Sequence, residues 1–244
     1  MINALTRKLK LYARLSDDDR ARLDEAVRTV RQVPAGGDIV VEGEDPQAVC
    51  VILDGWAGRC RHFPDGRRQI TALLLPGDSC DPFVFLMRRR DHTVTALTPV
   101  SVACLSSATF RELQIHSPAL ERAFHRDTLV ASAIQREVAA SLGRRSGLER
   151  MAHLFCELHA RLRAIGLAEA GGCSLPLSLN DMADILGQTS VHISRMLGAL
   201  RETGLISLRN RRLTIHDADG LAALAQFDPL YLHALHASNE AELP

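Results

Sequence analysis

Residues 28–105 are broken at short intervals by residues that end regular structure, and this argues against a helical fold for the first half of the chain. Turn signals stand at Pro34, Gly36 and Gly37, at Gly43 and Pro46, at Asp54 and Gly55, at Pro64 and Gly66, at Pro76 and Gly77, and at Thr98 and Pro99. The runs between them are short and rich in β-branched side chains, which reads as an all-β barrel, roll or sandwich. Ahead of this region Ser16 and Asp19 occupy the capping-box positions of a short helix ending near Val27. Aromatic residues are only 4% of the chain, so its cores must be mainly aliphatic.

The texture changes at Ser117. From there to Leu142 there is no glycine and no proline after Pro118, and Ser117 with Pro118 forms a favourable helix start. A helix of this length has about seven turns and spans roughly 35 Å. Leu120, Phe124, Ala131, Ile134 or Gln135, Val138 and Leu142 recur at steps near 3.5, while Leu129, Val130 and Ala133 widen the apolar surface. A helix apolar on more than one side needs more than one partner. It is therefore read as packing on its own β domain and, through a coiled-coil seam, on a second copy of itself. Phe124, Ala131, Ile134, Val138 and Leu142 are the expected dimerisation residues. Gly143 and Gly147 then mark a hinge, an amphipathic helix follows over 148–164, and 165–177 reads as a loop with Gly166, Gly171, Gly172 and Pro176.

Ser178 and Asp181 form another capping signature, opening a short helix over 180–186 whose Met182, Ile185 and Leu186 share a face. Gly187 ends it, Gln188 and Thr189 form the turn, and a second helix runs over 190–202. This is helix, tight turn, helix. Ile193, Met196, Leu197 and Leu200 make the buried side of the second helix, which leaves Ser190, His192, Ser194, Arg195 and Arg201 to face outward. Small hydrogen-bonding residues at such an N-terminus allow close approach to a DNA major groove. Residues 205–215 then read as a β-hairpin wing with a cationic tip formed by Arg209, Arg211 and Arg212. Between Thr189 and His216 the sequence holds five arginines and a single acid, Glu202. Cationic side chains on one motif are what neutralising DNA phosphates requires. The DNA-contact set is Gln188, Thr189, Ser190, Val191, His192, Ser194, Arg195, Arg209, Arg211 and Arg212.

That focus matters because the 29 basic and 29 acidic residues of the whole chain cancel. No apolar run reaches the length of a membrane span, and the first ten residues lack a signal-peptide core, so a cytoplasmic location with no membrane partner is expected. Cys50, Cys60, Cys80, Cys104, Cys156 and Cys173 form no CxxC pair and sit mostly in apolar runs, which reads as reduced core thiols. Enzymatic signatures are missing: there is no G-x-S-x-G, HExxH or P-loop. His62 and His92 are far apart, His153 and His159 are six apart on a helix, and His233 with His236 lies on the tail, so no metal site is expected and the chain is read as a non-enzyme.

Over most of its length the sequence resembles the cyclic-AMP receptor protein and FNR family of bacterial regulators. The resemblance is carried by the turn glycines Gly36, Gly37, Gly43, Gly55, Gly66 and Gly77 in order, by the long helix after Ser117, and by the winged helix-turn-helix over 179–215. It implies an α+β fold: an N-terminal cyclic-nucleotide-binding-like β-roll (jelly roll) with N-terminal helices over 1–116, a long dimerisation helix over 117–142, and a winged helix-turn-helix domain with a C-terminal tail helix over 143–244. It implies a sequence-specific DNA-binding transcription regulator acting as a homodimer on an inverted-repeat operator in double-stranded DNA, with RNA polymerase as a further partner. The alternative is a cyclic-nucleotide-binding module acting on a protein partner, which leaves the wing arginines unexplained.

Within that resemblance, Arg195 aligns with the family arginine that contacts base and backbone, while Val191 replaces the usual acid and Ser190 a frequent arginine. The sensor departs further. Pro82 stands where a ribose-binding Glu is expected and His92 with Thr93 where an Arg with Ser or Thr holds the cyclic phosphate, so cyclic AMP is not expected in the usual mode. Arg88, Arg89, Arg90, His92 and Thr93 are the effector-site candidates. No cysteine precedes Cys50, which argues against an FNR-type iron–sulfur cluster; haem stays open because His92, Cys80 and Cys60 all fall in the sensor, though no spacing singles one out as its ligand.

Overall fold

A computed structural model describes residues 2–233 and divides the chain into two compact units, Met1–Leu129 and Val130–Pro244. In the first unit, α1 (Ala4–Leu9) and α2 (Asp17–Ala26) precede the β region. The capping box anticipated at α2 is present: Ser16 Oγ accepts from the Asp19 amide at 3.1 Å, and Asp19 accepts from the Ser16 amide at 2.8 Å.

Seven strands follow: β1 (Val30–Val33), β2 (Asp38–Val40), β3 (Ala48–Asp54), β4 (Ala57–His62), β5 (Arg68–Leu74), β6 (Thr93–Ala96) and β7 (Val100–Ser106). They form two antiparallel sheets, one ordered β1-β7-β3 and the other β2-β6-β4-β5. The chain thus changes sheet at each of the first three steps and again between β6 and β7, while β4, β5 and β6 stay in one sheet. An aliphatic core fills the space between them: Val33, Ile39, Val40, Ile52, Leu74, Val94 and Val102 are all buried. The helix α3 (Ser107–Ile115) leaves β7 with Ser106 as N-cap, and Phe110 on it meets Phe124 with ring centroids 4.8 Å apart.

The long helix α4 (Pro118–Arg144) appears where the glycine-free run requires it. It continues through Gly143 to Arg144, so the break falls at Arg145 and Ser146, within the hinge expected over 143–147. A glycine inside a helix costs only about 1 kcal/mol relative to alanine, and Gly143 is exposed where nothing else constrains it. The chain turns at Ser146, whose hydroxyl accepts from the Glu149 amide while Glu149 accepts from the Ser146 amide at 2.7 Å, opening α5 (Gly147–Ala164). Two of the expected seam residues are corrected by their burial. Phe124 is fully buried within the first unit and Ile134 is 9% exposed, so neither side chain is free to meet a partner. Ala131 and Leu142 are exposed, with Gln135 and Val138 half-buried between them. These four are spaced by four, three and four residues, a heptad stripe.

In the second unit the segment expected as a loop contains a hairpin, β8 (Ala168–Glu169) and β9 (Gly172–Ser174). It joins the wing strands β10 (Ile206–Arg209) and β11 (Arg212–Ile215) in a sheet ordered β10-β11-β9-β8. Gly172 permits this: its φ is 154°, and a Cβ there would lie 2.2 Å from the Leu213 carbonyl oxygen. The helices α6 (Leu179–Leu186), α7 (Ser190–Glu202) and α8 (Ala218–Ala225) complete the unit around α5, whose Met151, Phe155 and Leu158 are fully buried. On the polar side of α5, Arg145 and His153 both reach Glu137 Oε1, at 2.7 and 3.3 Å. The rest of the tail, including His236, lies outside the described residues. Among the described residues no helix is long and apolar enough to cross a membrane.

Candidate nucleic-acid interface and sensor cavity

The geometry of the helix pair follows from three local signals. Ser178 and Asp181 cap α6 reciprocally at 3.0 Å each way, Gly187 ends it with φ 63° in the left-handed region, and Thr189 caps α7 by accepting from the His192 amide at 3.2 Å. Left-handed backbone at a helix end favours glycine because no Cβ is present to clash. On α7 the structure buries Ile193, Met196, Leu197 and Leu200, the four residues expected to face inward. Val191, His192, Ser194, Arg195 and Arg201 are exposed, and Gln188 and Ser190 are half-exposed. The α7 N-terminus therefore presents short side chains and the exposed guanidinium of Arg195 outward, with the positive end of the helix dipole behind them.

The wing expected over 205–215 is a hairpin with a tight turn. Arg209 pairs directly with Arg212, leaving only Asn210 and Arg211 as the loop, with φ of 50° and 58°. Positive φ at both central residues is the type I′ hairpin turn, which matches the twist of the flanking strands. Asparagine suits the first position; arginine at the second accepts a conformation usually left to glycine, and thereby carries its charge at the tip of the hairpin. Arg209, Arg211 and Arg212 are all exposed, but they are not equivalent. Arg212 is held by Glu169 of β8 at 2.9 Å, a partner 43 residues away that no local charge count includes. No acid pairs with Arg209 or Arg211 among the described residues.

In the first unit a cavity of about 240 Å³ is lined by residues 81–84 together with Met87, Arg89, Arg90, Asp91, His92 and Thr128. Two of the effector-site candidates fall outside it. Arg88 is exposed, and Thr93 is buried in β6, where its hydroxyl accepts from the Glu42 amide at 3.1 Å. Most of the polar groups that do line it already have partners within the fold. Asp81 lies 3.0 Å from Arg59, 3.1 Å from His92 Nε2 and 3.8 Å from Arg90, while Arg90 donates to the Ala48 carbonyl and Arg89 to that of Gly43. His92 also meets Asp91 at 2.7 Å, and this hydrogen bond holds the Asp91 carboxyl below the usual carboxylate range. Neither Arg59 nor Asp81 was singled out from the sequence, because strand β4 and the segment after β5 meet only in the folded roll. Among the described residues no three His, Cys, Asp or Glu side chains gather as a metal ion would require.

Comparison with known proteins agrees with both halves. Residues 30–116 match the cyclic nucleotide-binding domain model, and residues 149–224 the Crp-like helix-turn-helix domain model. The chain is 31% identical over 208 residues to the transcriptional activator protein FnrL of Cereibacter sphaeroides, covering 83% of this chain and 82% of that one. It is 30% identical to the nitrogen fixation regulation protein FixK of Bradyrhizobium diazoefficiens, covering 89% and 91%. Among solved structures, FixK2 from Bradyrhizobium japonicum superposes with a TM-score of 0.71 at 26% identity, over 80% of this chain and 96% of that one. With relatives of this similarity over most of its length, the chain belongs to the Crp/Fnr family, whose members are DNA-binding transcription regulators and not enzymes.

Proposed function

We propose that the chain acts as a cytoplasmic homodimer on an inverted-repeat operator, with α7 of each protomer in a major groove, the wing tip on phosphates, and RNA polymerase as a further partner. The observation that carries this reading is the exposed N-terminal face of α7, with Arg195 on it, in the same unit as the uncompensated Arg209 and Arg211. Gln188, Thr189, Ser190, Val191, His192, Ser194 and Arg195 meet the base edges and adjacent phosphates, Val191 offering its methyl groups to a thymine. The stripe of Ala131, Gln135, Val138 and Leu142 on α4 joins the two copies. Selection of bound duplexes from a random pool tests this. A two-fold symmetric consensus with half-sites roughly one helical turn, 34–36 Å, apart is expected; an asymmetric or single half-site consensus overturns it.

The sensor reading also rests on geometry. A cyclic phosphate needs free cationic donors to offset the loss of its hydration. At the cavity wall Asp81 already supplies an anion to Arg59, which lies 3.0 Å away, and to Arg90, 3.8 Å away. Pro82 lines the same cavity and offers neither an acceptor side chain for a ribose hydroxyl nor an amide donor. Both features argue against cyclic AMP as a tight ligand in the family's usual mode.

A further inference from the structure

Cys50 on β3 and Cys104 on β7 are direct cross-strand partners, and their sulfurs stand 3.1 Å apart. The backbone places them at a non-hydrogen-bonded pair. Cys50 O accepts from the Cys80 amide and the Ile52 amide donates to Asp78 O, so the polar groups of residues 50 and 52 point away from β7. Pairs of that kind bring Cα atoms to about 4.5 Å, inside the roughly 4.4–6.8 Å window a disulfide accepts. Bridging these two sulfurs therefore needs side-chain rotation only. The two sites differ in access. Cys50 is buried, whereas Cys104 is exposed because β1 stops pairing with β7 at Val30 opposite Ala103, one residue short of it. This corrects the expectation that all six cysteines are core thiols.

We propose that Cys50 and Cys104 form a two-cysteine redox site in the sensor unit, in which a hydroperoxide oxidises Cys104 and Cys50 resolves it as an intramolecular disulfide. The exposed member is also the activated one. The hydrogen bond from the Cys50 thiol, helped by the guanidinium of Arg31, pulls the Cys104 thiol down to about 6, while the same hydrogen bond and burial push the Cys50 thiol up. A thiolate that is both accessible and stabilised by a cation is the nucleophile in such chemistry. Cys104 Sγ attacks the outer oxygen of the hydroperoxide and the O–O bond breaks, leaving a sulfenic acid and, after proton uptake, an alcohol, or water when the oxidant is hydrogen peroxide. Cys50 Sγ then attacks Cys104 Sγ. The S–O bond breaks, the departing hydroxyl takes the Cys50 proton as water, and the two thiols have together lost two electrons to the peroxide.

The test uses the full chain, fully reduced and then exposed to a few equivalents of hydrogen peroxide, alkylated after denaturation and mapped by peptide mass spectrometry without reduction. The expected product is a Cys50–Cys104 linked peptide, lighter than its parts by two hydrogens, within a single polypeptide and reversed by dithiothreitol. Cys60, Cys80, Cys156 and Cys173 remain fully alkylated. In Cys50→Ser the linked peptide is lost and dimedone traps a sulfenic acid on Cys104; in Cys104→Ser both products are lost. Because the main result comes from the unaltered protein, a variant that folds poorly does not decide the matter. Cys104 left unoxidised in the unaltered protein, its accumulation as sulfenic or sulfinic acid with Cys50 present, or disulfides formed by other cysteines or between chains would each overturn the proposal.

Discussion

Removing the charge of the wing with Arg209→Gln, Arg211→Gln and Arg212→Gln gives a result whose size the structure sets. Each phosphate contact contributes about 0.9 to the slope of log affinity against log salt. If all three arginines reached phosphate in both protomers, the slope would fall by about 5.4. Arg212, however, is paired with Glu169 at 2.9 Å, so its charge is already compensated in the free protein. Two contacts per protomer remain, and the expected fall is about 3.6. Between 50 and 200 mM salt the unaltered protein should therefore lose about 150-fold more affinity than the variant. Fluorescence anisotropy with a labelled operator at four or five salt concentrations measures both slopes, and a melting curve controls for folding, which these exposed residues should leave nearly unchanged. The complementary change, Glu169→Gln, releases Arg212 and should steepen the slope by up to about 1.8 in the dimer. An unchanged slope in the triple variant would place the wing away from DNA, and a fall near 5.4 would show that Glu169 does not hold Arg212 in the complex.

Further predictions concern the seam, the sensor cavity and the buried histidine. Val138→Glu with Leu142→Glu sets like charges across the heptad stripe, so light scattering should show the monomer mass; an intact dimer would put the interface elsewhere. Calorimetry of the purified protein with cyclic AMP and with cyclic GMP should show no micromolar binding, and a titratable heat in that range with a parallel rise in operator affinity would refute the account of Asp81 and Pro82. Burial and the nearby Arg145 depress His153 to about 4, against the opposing pull of Glu137. As pH falls below about 6.5 the unfolded chain takes up a proton that the folded chain refuses until about 4. The stability due to neutral His153 is thus complete above that upper value and lost on the way down, by an amount on the order of 2 kcal/mol. Urea denaturation between pH 7 and 4 should show a shallower decline in His153→Gln than in the unaltered protein; parallel declines would contradict it.

What could be read from the sequence was what depends on near neighbours. The capping boxes at Ser16 and Ser178, the Gly187 stop, the apolar face of α7 and the glycine-free run of α4 are each decided within one or two helical turns, and the structure has them in place. The break within 143–147 is equally local, since Ser146 and Glu149 spell a capping box that starts α5. Phe124 and Ile134 could not be separated from Ala131 and Leu142 by periodicity alone, because both sides of α4 are apolar and only the fold decides which side each covers. The remaining misses are long-range pairings. Glu169 with Arg212, Asp81 with Arg59 and Cys50 with Cys104 meet across strands 43, 22 and 54 residues apart, where register and sheet order determine contact.

If α7 reads bases through Arg195, the affinities of Arg195→Ala for a selected operator and for scrambled DNA of equal length, at one salt concentration, must diverge. Arg195 is exposed on the outward face of α7, so its removal should leave the fold intact. A bidentate base contact is worth about 1–3 kcal/mol. Specific affinity should therefore fall by roughly one to two orders of magnitude while binding to scrambled DNA changes far less. Equal losses on the two duplexes would reduce Arg195 to a phosphate contact and contradict the reading of α7 as the recognition helix.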